Sequence, residues 1–323
     1  MEKVLNRKHK IQESNFAEDV VKGLSHNPKR LPSKYLYNEE GDKLFQQIMH
    51  LPEYYVTRCE HEILETYKQT IAGFCSEPFQ LIDLGAGDGL KTMVLLDYFI
   101  KNKSAFQYLP IDISSSAVNQ LADSVKAKFP KLSIEGISAE YFAALRKLKE
   151  DKNFHKVVLL FGSNIGNFSS SEAIDFLQEM KNNLNKGDLL IIGFDLKKDP
   201  DSILKAYNDS QGITAQFNFN LLHRINKELG GNFNTDNFEF CPTYNPETGE
   251  VKSYLVSKAR QTVVLKKINA SFRFDPWESI HTECSNKYDL HDITTFAEAA
   301  GFKIVTNLYD SKKYFTDSVW KVV

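Results

Sequence analysis

Three glycines in Leu81-Ile-Asp-Leu-Gly-Ala-Gly-Asp-Gly-Leu-Lys-Thr92 stand where an apolar run ends and a helical pattern begins. Glycine at such a turn lets backbone pass close to a ligand where a Cβ would collide. The start of the following helix offers unpaired N–H groups. Strand, glycine turn and helix in that order hold a nucleotide-like molecule at the carboxyl edge of a doubly wound sheet. The spacing Gly85-x-Gly87-x-Gly89 differs from the dinucleotide fingerprint G-x-G-x-x-G. It favours S-adenosylmethionine (SAM), which has no pyrophosphate to seat, over NAD; a structural turn without a ligand is the alternative. Asp112 ends the next apolar run and can accept two hydrogen bonds from ribose hydroxyls. Its alternative role is a helix N-cap, although Ser114 to Ser116 supply caps of their own. Lys91, one turn into the first helix, either neutralises the carboxylate at the methionine end of SAM or is a surface lysine.

A second glycine-rich loop, Phe161-Gly-Ser-Asn-Ile-Gly-Asn167, follows the fourth apolar run. In a doubly wound sheet it falls beside the ligand-binding switch point. Gly162 allows a tight path there, and Asn167 can both donate and accept, or serve only as a turn residue. Leu51-Pro-Glu-Tyr-Tyr-Val-Thr-Arg58 holds adjacent tyrosines; if the segment is extended, they face opposite ways and one phenol turns to a cleft. Tyr37 and Tyr207 are further phenols, with plain packing as the alternative for each. In Thr282-Glu-Cys-Ser-Asn-Lys-Tyr288 an extended backbone places Glu283 and Ser285 on one face, a carboxylate and a hydroxyl suited to an N–H-bearing ligand. His281 and Glu283 make H-x-E without a third ligand, so no metal site is expected. Ser163 and His155 make no triad, because the G-x-S-x-G elbow is absent.

Positioning these residues requires repeated βα units. Apolar runs at 80–84, 107–113, 132–137, 156–161 and 189–194 read as strands, and helical patterns fill 90–101, 115–129, 139–149 and 171–184. Right-handed crossovers make that sheet parallel, with helices on both faces. Runs at 302–309 and 314–322 flank a polar turn and read as a terminal antiparallel hairpin. The sum is an α/β fold: the seven-stranded, Rossmann-like doubly wound sheet of class I methyltransferases. A helical stretch at 202–229 and strand-like runs at 251–265 and 268–274 break the rhythm. Together with the helical N-terminal stretch they predict a smaller α+β lobe. The expected division is 61–196 with 286–323 for SAM, and 1–60 with 197–285 for the substrate.

The 323 residues carry a formal net charge of −2, so no global basic field draws the chain to nucleic acid or to an anionic membrane. The cluster Arg7-Lys8-His9-Lys10 reads as solvated surface. No apolar run is long enough to span a bilayer, and the N-terminus lacks the apolar core of a secretory signal. Four scattered cysteines read as reduced thiols in a cytoplasmic protein. A monomer is expected.

Several unlinked stretches resemble one family, the histidine Nα-methyltransferases of ergothioneine biosynthesis. They are Tyr37-Asn-Glu-Glu-Gly-Asp-Lys-Leu-Phe45, Leu51–Arg58, Gly162–Asn167, Ala206-Tyr-Asn-Asp-Ser-Gln-Gly-Ile-Thr-Ala-Gln-Phe-Asn218 and Thr282–Tyr288. The resemblance implies SAM as co-substrate, with Gly85, Lys91 and Asp112 at cofactor positions; Gly87 and Gly162, in the two glycine loops, are expected to join them. Where the family has an Asp-Phe pair near the adenine, this chain has Ile137-Ser138, whose backbone N–H would serve instead. Tyr55, Asn167 and Tyr207 would surround the amino-acid end of the substrate, with Tyr55 and Asn167 as weak proton acceptors. Glu283 and Ser285 would grip the imidazole, and Ser253 would fall where the family's pocket draws an apolar residue. The implied reaction is methyl transfer to the α-amine of L-histidine, up to the trimethylated hercynine. Its rivals are the same chemistry on another amino acid or a histidine derivative, an NAD-dependent oxidoreductase, and a non-catalytic SAM-binding module.

Overall fold

Strands Phe79–Leu84 and Leu189–Asp195 are buried at every residue, the burial of strands covered on both faces. The computed structural model describes residues 16–112 and 115–323. The basic cluster at 7–10, Ser114 and the last residue of the expected strand 107–113 lie outside them. Strand Phe79–Leu84 is central to a seven-stranded sheet ordered 302–309, 315–322, 189–195, 155–160, 79–84, 106–112, 137–138. The first five in chain order are parallel, and the last two form an antiparallel hairpin whose second strand pairs with Leu189–Asp195. Chain order reverses on either side of Phe79–Leu84, so the sheet is a class I, Rossmann-like one with its switch point at the glycine turn.

Five helices accompany the parallel strands in sequence: Tyr55–Phe74, Thr92–Lys101, Ser115–Lys128, Tyr141–Glu150 and Ser170–Asn182. The last begins with a capping box between Ser169 and Glu172. The strand expected at 132–137 shrinks to Ile137–Ser138 plus an isolated bridge from Ile134 to Tyr108. It lies at the sheet edge, where no outer neighbour enforces regularity, and Gly136 approaches Val118 too closely to carry a Cβ.

Clustering of contacts divides the chain into two units. One takes Tyr54–Ser202, Asn245–Glu250 and Ser285–Val323, which includes the whole seven-stranded sheet. The other takes the described residues up to Glu53, with Ile203–Tyr244 and Val251–Cys284. By contacts the divisions fall at 53/54, 202/203, 244/245, 250/251 and 284/285. Helix Tyr55–Phe74 contacts the hairpin strands and helix Thr92–Lys101, so its first turn goes with the sheet.

In the second unit the single helical stretch expected at 202–229 is two helices, Pro200–Tyr207 and Ile213–Leu229. Asp209 breaks it by accepting from the backbone N–H groups of Ile213 and Thr214, both at 2.8 Å. The run at 251–265 is likewise two strands, Glu250–Ser257 and Gln261–Leu265, and Ala270–Phe274 pairs with the latter. Strands Lys29–Arg30, Ser279–Asn286, Glu250–Ser257 and Phe238–Tyr244 form a four-stranded sheet in that order.

Candidate active site

The glycine turn adopts a path that residues with a Cβ resist. Gly85, Gly87 and Gly89 have φ of 68°, 55° and 67°. A Cβ on Gly85 would lie 2.7 Å from Tyr141 Oη, whereas at Gly87 it would meet only a carbonyl oxygen 4.0 Å away. The turn is tied down from below by Asp83, which accepts from Thr92 Oγ1 at 2.6 Å and Tyr108 Oη at 2.9 Å. Burial pushes the Asp83 carboxyl up to about 6, against the pull of those donors. Asp112 ends the neighbouring strand, half-buried and in register with Ser138. Ile137 and Ser138 form the whole of the edge strand, and the N–H of Ala139 donates to Asp112 O at 3.1 Å. Tyr141, not singled out by the sequence, stands by Gly85; burial, then the charge of Asp112, raises its phenol's pKa. An open glycine turn with an acid at the end of the next strand fits an adenosyl group.

Lys91 and Gly162 meet at a residue that sequence reasoning missed. Glu60, fully buried, forms an ion pair with Lys91 Nζ. Its oxygens also accept from the N–H of Gly162, at 2.8 and 3.0 Å. The charge of Lys91 is thus matched by a buried carboxylate of the protein, where the sequence offers either a ligand carboxylate or solvent. Glu60 belongs to the buried stripe of helix Tyr55–Phe74, otherwise formed by Tyr55, Val56, Cys59, Ile63, Leu64 and Ile71. A carboxylate on that apolar stripe is the signal that could have found it.

Gly162 and Ser163 both have positive φ, 76° and 56°. Ser163 Oγ accepts the N–H of Asp195 at 3.1 Å. Asn167 closes the 3-10 turn Asn164–Asn167, which is clamped from outside. Asn286 Nδ2 donates to the carbonyls of Gly166 and Phe168 at 2.9 and 2.7 Å, and Tyr288 Oη to that of Ile165 at 3.1 Å.

Beside this loop lies a buried polar cluster. Tyr55 Oη donates to the carboxylate of Asp195, 3.0 Å from either oxygen, and is 2.8 Å from Lys198 Nζ. Lys198 Nζ is 2.5 Å from Asp195 Oδ1, and Lys287 Nζ is 3.0 Å from Oδ2. Lys287 also donates to Ser285 Oγ at 2.8 Å. Burial pushes the Asp195 carboxyl up, but the two ammoniums outweigh it and hold the group below the usual carboxylate range. Burial also lowers the pKa of Lys198; Asp195 opposes this, and the like charge of Lys287 adds to it. Asp195 carries the same signal as Asp112, an acid at the carboxyl end of a buried strand, and Lys287 lies inside the stretch 282–288.

Tyr207 and Glu283 belong to the other unit. Tyr207 is buried at the end of helix Pro200–Tyr207. Glu283 is half-buried on strand Ser279–Asn286, two residues before Ser285. Its face of the sheet is set by its neighbours: the rings of Tyr254 and His281 lie 5.4 Å apart, while Thr282 Oγ1 turns the other way, to Asn218 Oδ1 at 2.6 Å. Ser253, one residue from Tyr254 and buried, lies on the Thr282 face under helix Ile213–Leu229. The pocket position expected for Ser253 is therefore corrected: strand alternation puts it on the opposite face from Glu283.

The family model for histidine-specific, SAM-dependent methyltransferases matches residues 16–322. The chain belongs to that family. It is 32% identical over 283 residues to the histidine N-alpha-methyltransferase of Mycobacterium tuberculosis, covering 88% of this chain and 87% of that one. It is 31% identical over 291 residues to ergothioneine biosynthesis protein 1 of Schizosaccharomyces pombe, covering 87% of this chain and 37% of that protein. A 4-dimethylallyltryptophan N-methyltransferase of Epichloe festucae var. lolii is 26% identical over 312 residues, 90% of each chain. SAM is the methyl donor of this methyltransferase, and the NAD alternative is set aside. Among the described residues no group of His, Cys, Asp and Glu is arranged to hold a metal ion, and no helix is long and apolar enough to cross a membrane.

Proposed function

We propose that this methyltransferase acts on the α-amine of L-histidine and adds up to three methyl groups. The observation that carries the reading is the 32% identity, over 88% of the chain, to a protein named for that reaction. Each round requires an amine lone pair: the nitrogen forms the new N–C bond as the C–S bond of the sulfonium breaks and sulfur keeps the pair. Most of the catalysis is then alignment and dehydration of two bound partners.

In this reading the glycine turn, Asp112, the backbone of Ile137 and Ser138, Lys91 and Gly162 hold SAM. Tyr55, Asn167 and Tyr207 receive the amino-acid end. Glu283 accepts an imidazole N–H, and Ser285, whose oxygen accepts from Lys287, meets the second nitrogen. That arrangement favours an imidazole over an indole, which has one N–H and no second nitrogen for Ser285 to meet. The unit that contains the seven-stranded sheet serves the cofactor, and the other supplies substrate contacts.

The test is transfer of labelled methyl from SAM to a panel of amines: L-histidine, its mono- and dimethyl forms, L-tryptophan and 4-dimethylallyltryptophan. Mass spectrometry counts the methyls. Histidine should be used with the highest kcat/KM and carry up to three. A tryptophan derivative outpacing histidine would sink the assignment.

A further inference from the structure

Around Asp195 two lysines share one carboxylate, and all three side chains are out of water: 5% of Lys198 and none of Lys287 or Asp195 is exposed. With both lysines protonated the cluster holds one uncompensated positive charge in a buried place. Loss of a single proton makes it neutral. Lys287 is spent on Asp195 Oδ2 and Ser285 Oγ. Lys198 touches the hydroxyl of Tyr55, the group expected to meet the substrate amine, whereas Lys287 touches Ser285, expected at the imidazole end.

We infer that Lys198, acting through Tyr55, stores the proton that the substrate's ammonium must lose before each methyl transfer. The inference rests on the reading of Tyr55 as a contact of the substrate amine. In the proposed resting state Lys198 has given up the surplus proton, Lys287 and Asp195 remain as an ion pair, and the Tyr55 O–H, which donates to Asp195 in the structure, turns to Lys198 Nζ 2.8 Å away. The ammonium gives a proton to Tyr55 Oη, and the phenol's own proton passes to the lone pair of Lys198 Nζ. Substrate ammonium and lysine amine thus become substrate amine and lysine ammonium, with total charge unchanged. After methylation the product is again a cation, and Lys198 returns its proton to solvent before the next round. A trimethylated nitrogen has no proton left to give, so the sequence stops there.

The surroundings suit a group that changes charge. The rings of Tyr55 and Tyr314 lie 4.2 and 5.5 Å from Lys198 Nζ, faces that receive it when charged. Burial and the charge of Lys287 favour the neutral form, and Asp195 favours the charged one. A further titratable neighbour, Cys59, has its thiol pushed up to about 12, by burial first and then by the buried Asp310, and stays neutral.

The experiment measures kcat/KM for histidine from pH 6.5 to 10 in wild type and Lys198→Arg. Arginine keeps the positive charge on Asp195 but does not give up a proton in proteins. The variant should lose at least tenfold at pH 7 and recover about a decade per pH unit toward the substrate amine's own pKa, with S-adenosylhomocysteine affinity unchanged. A wild-type pH profile in Lys198→Arg, or a loss equal at every pH, would overturn the inference. If the arginine variant does not fold, Tyr55→Phe, which removes the single oxygen between amine and Lys198, must show the same alkaline recovery; without it the inference also fails. A wild-type enzyme inert on histidine would instead refute the substrate reading.

Discussion

Asp317 offers a perturbation whose sign and slope follow from the structure. It lies on strand Phe315–Val322 directly across from Gly193, whose missing Cβ would sit 2.4 Å from Glu60 Oε1. The carboxyl is fully buried, and neither oxygen has a hydrogen-bond partner among the described residues. Burial, then the charge of Glu60, push its pKa well above the usual carboxylate range, while Lys91 pulls weakly the other way. The folded protein therefore keeps a proton that the unfolded chain releases near pH ~3.9. Its stability contribution is intact below that pH and is lost as pH rises, by about 1.4 kcal/mol per unit until the folded carboxyl itself ionises. Asp317→Asn keeps the shape and has no proton to lose. Near pH 4 variant and wild type should be similar, and the variant's advantage should grow by up to ~1.4 kcal/mol per pH unit above it. The chain has two tryptophans, Trp277, 74% exposed, and Trp320, buried on the same strand as Asp317. In a Trp277→Phe background, fluorescence of Trp320 therefore follows this unit alone through urea unfolding between pH 4.5 and 8. A stability difference that does not change with pH, or that shrinks as pH rises, would refute the reasoning.

Three further outcomes concern the site. Gly85→Ala places a Cβ at φ 68° and 2.7 Å from Tyr141 Oη, so S-adenosylhomocysteine should bind at least about tenfold more weakly by calorimetry; unchanged affinity would show that the turn does not approach the ligand. On the proposed role of Asp112 at the ribose, Asp112→Ala should remove charge-assisted bonds worth ~1.5–3 kcal/mol, a rise in Kd of roughly ten- to 150-fold. The same Kd in the variant would move the ribose elsewhere. Glu283→Ala should raise KM for histidine by roughly ten- to 100-fold while leaving that for SAM alone; equal histidine use by the variant removes Glu283 from the imidazole site.

What the sequence determined by itself is whatever rests on local pattern. Short apolar-rich runs such as 80–84 and 189–194, each bounded by turn residues, read as strands buried on both faces, and repeated βα units force a parallel sheet. Glycines at 85, 87 and 89 mark a backbone path that a Cβ would obstruct, and Asp112 is placed by its position at a strand end. Local pattern also explains two of the misreadings. Asp209 breaks a helix through hydrogen bonds that composition does not reveal, and an edge strand such as Ile137–Ser138 has no outer neighbour to keep it regular. Only the tertiary structure decided which charges meet. Glu60 reaches Gly162 across 102 residues and Tyr55 reaches Asp195 across 140, separations at which spacing along the chain carries no information. It also decided the side of the sheet on which Ser253 lies, because a strand's two faces are distinguished only by what packs on them. Buried polar groups must find partners, and the partners are chosen by the fold.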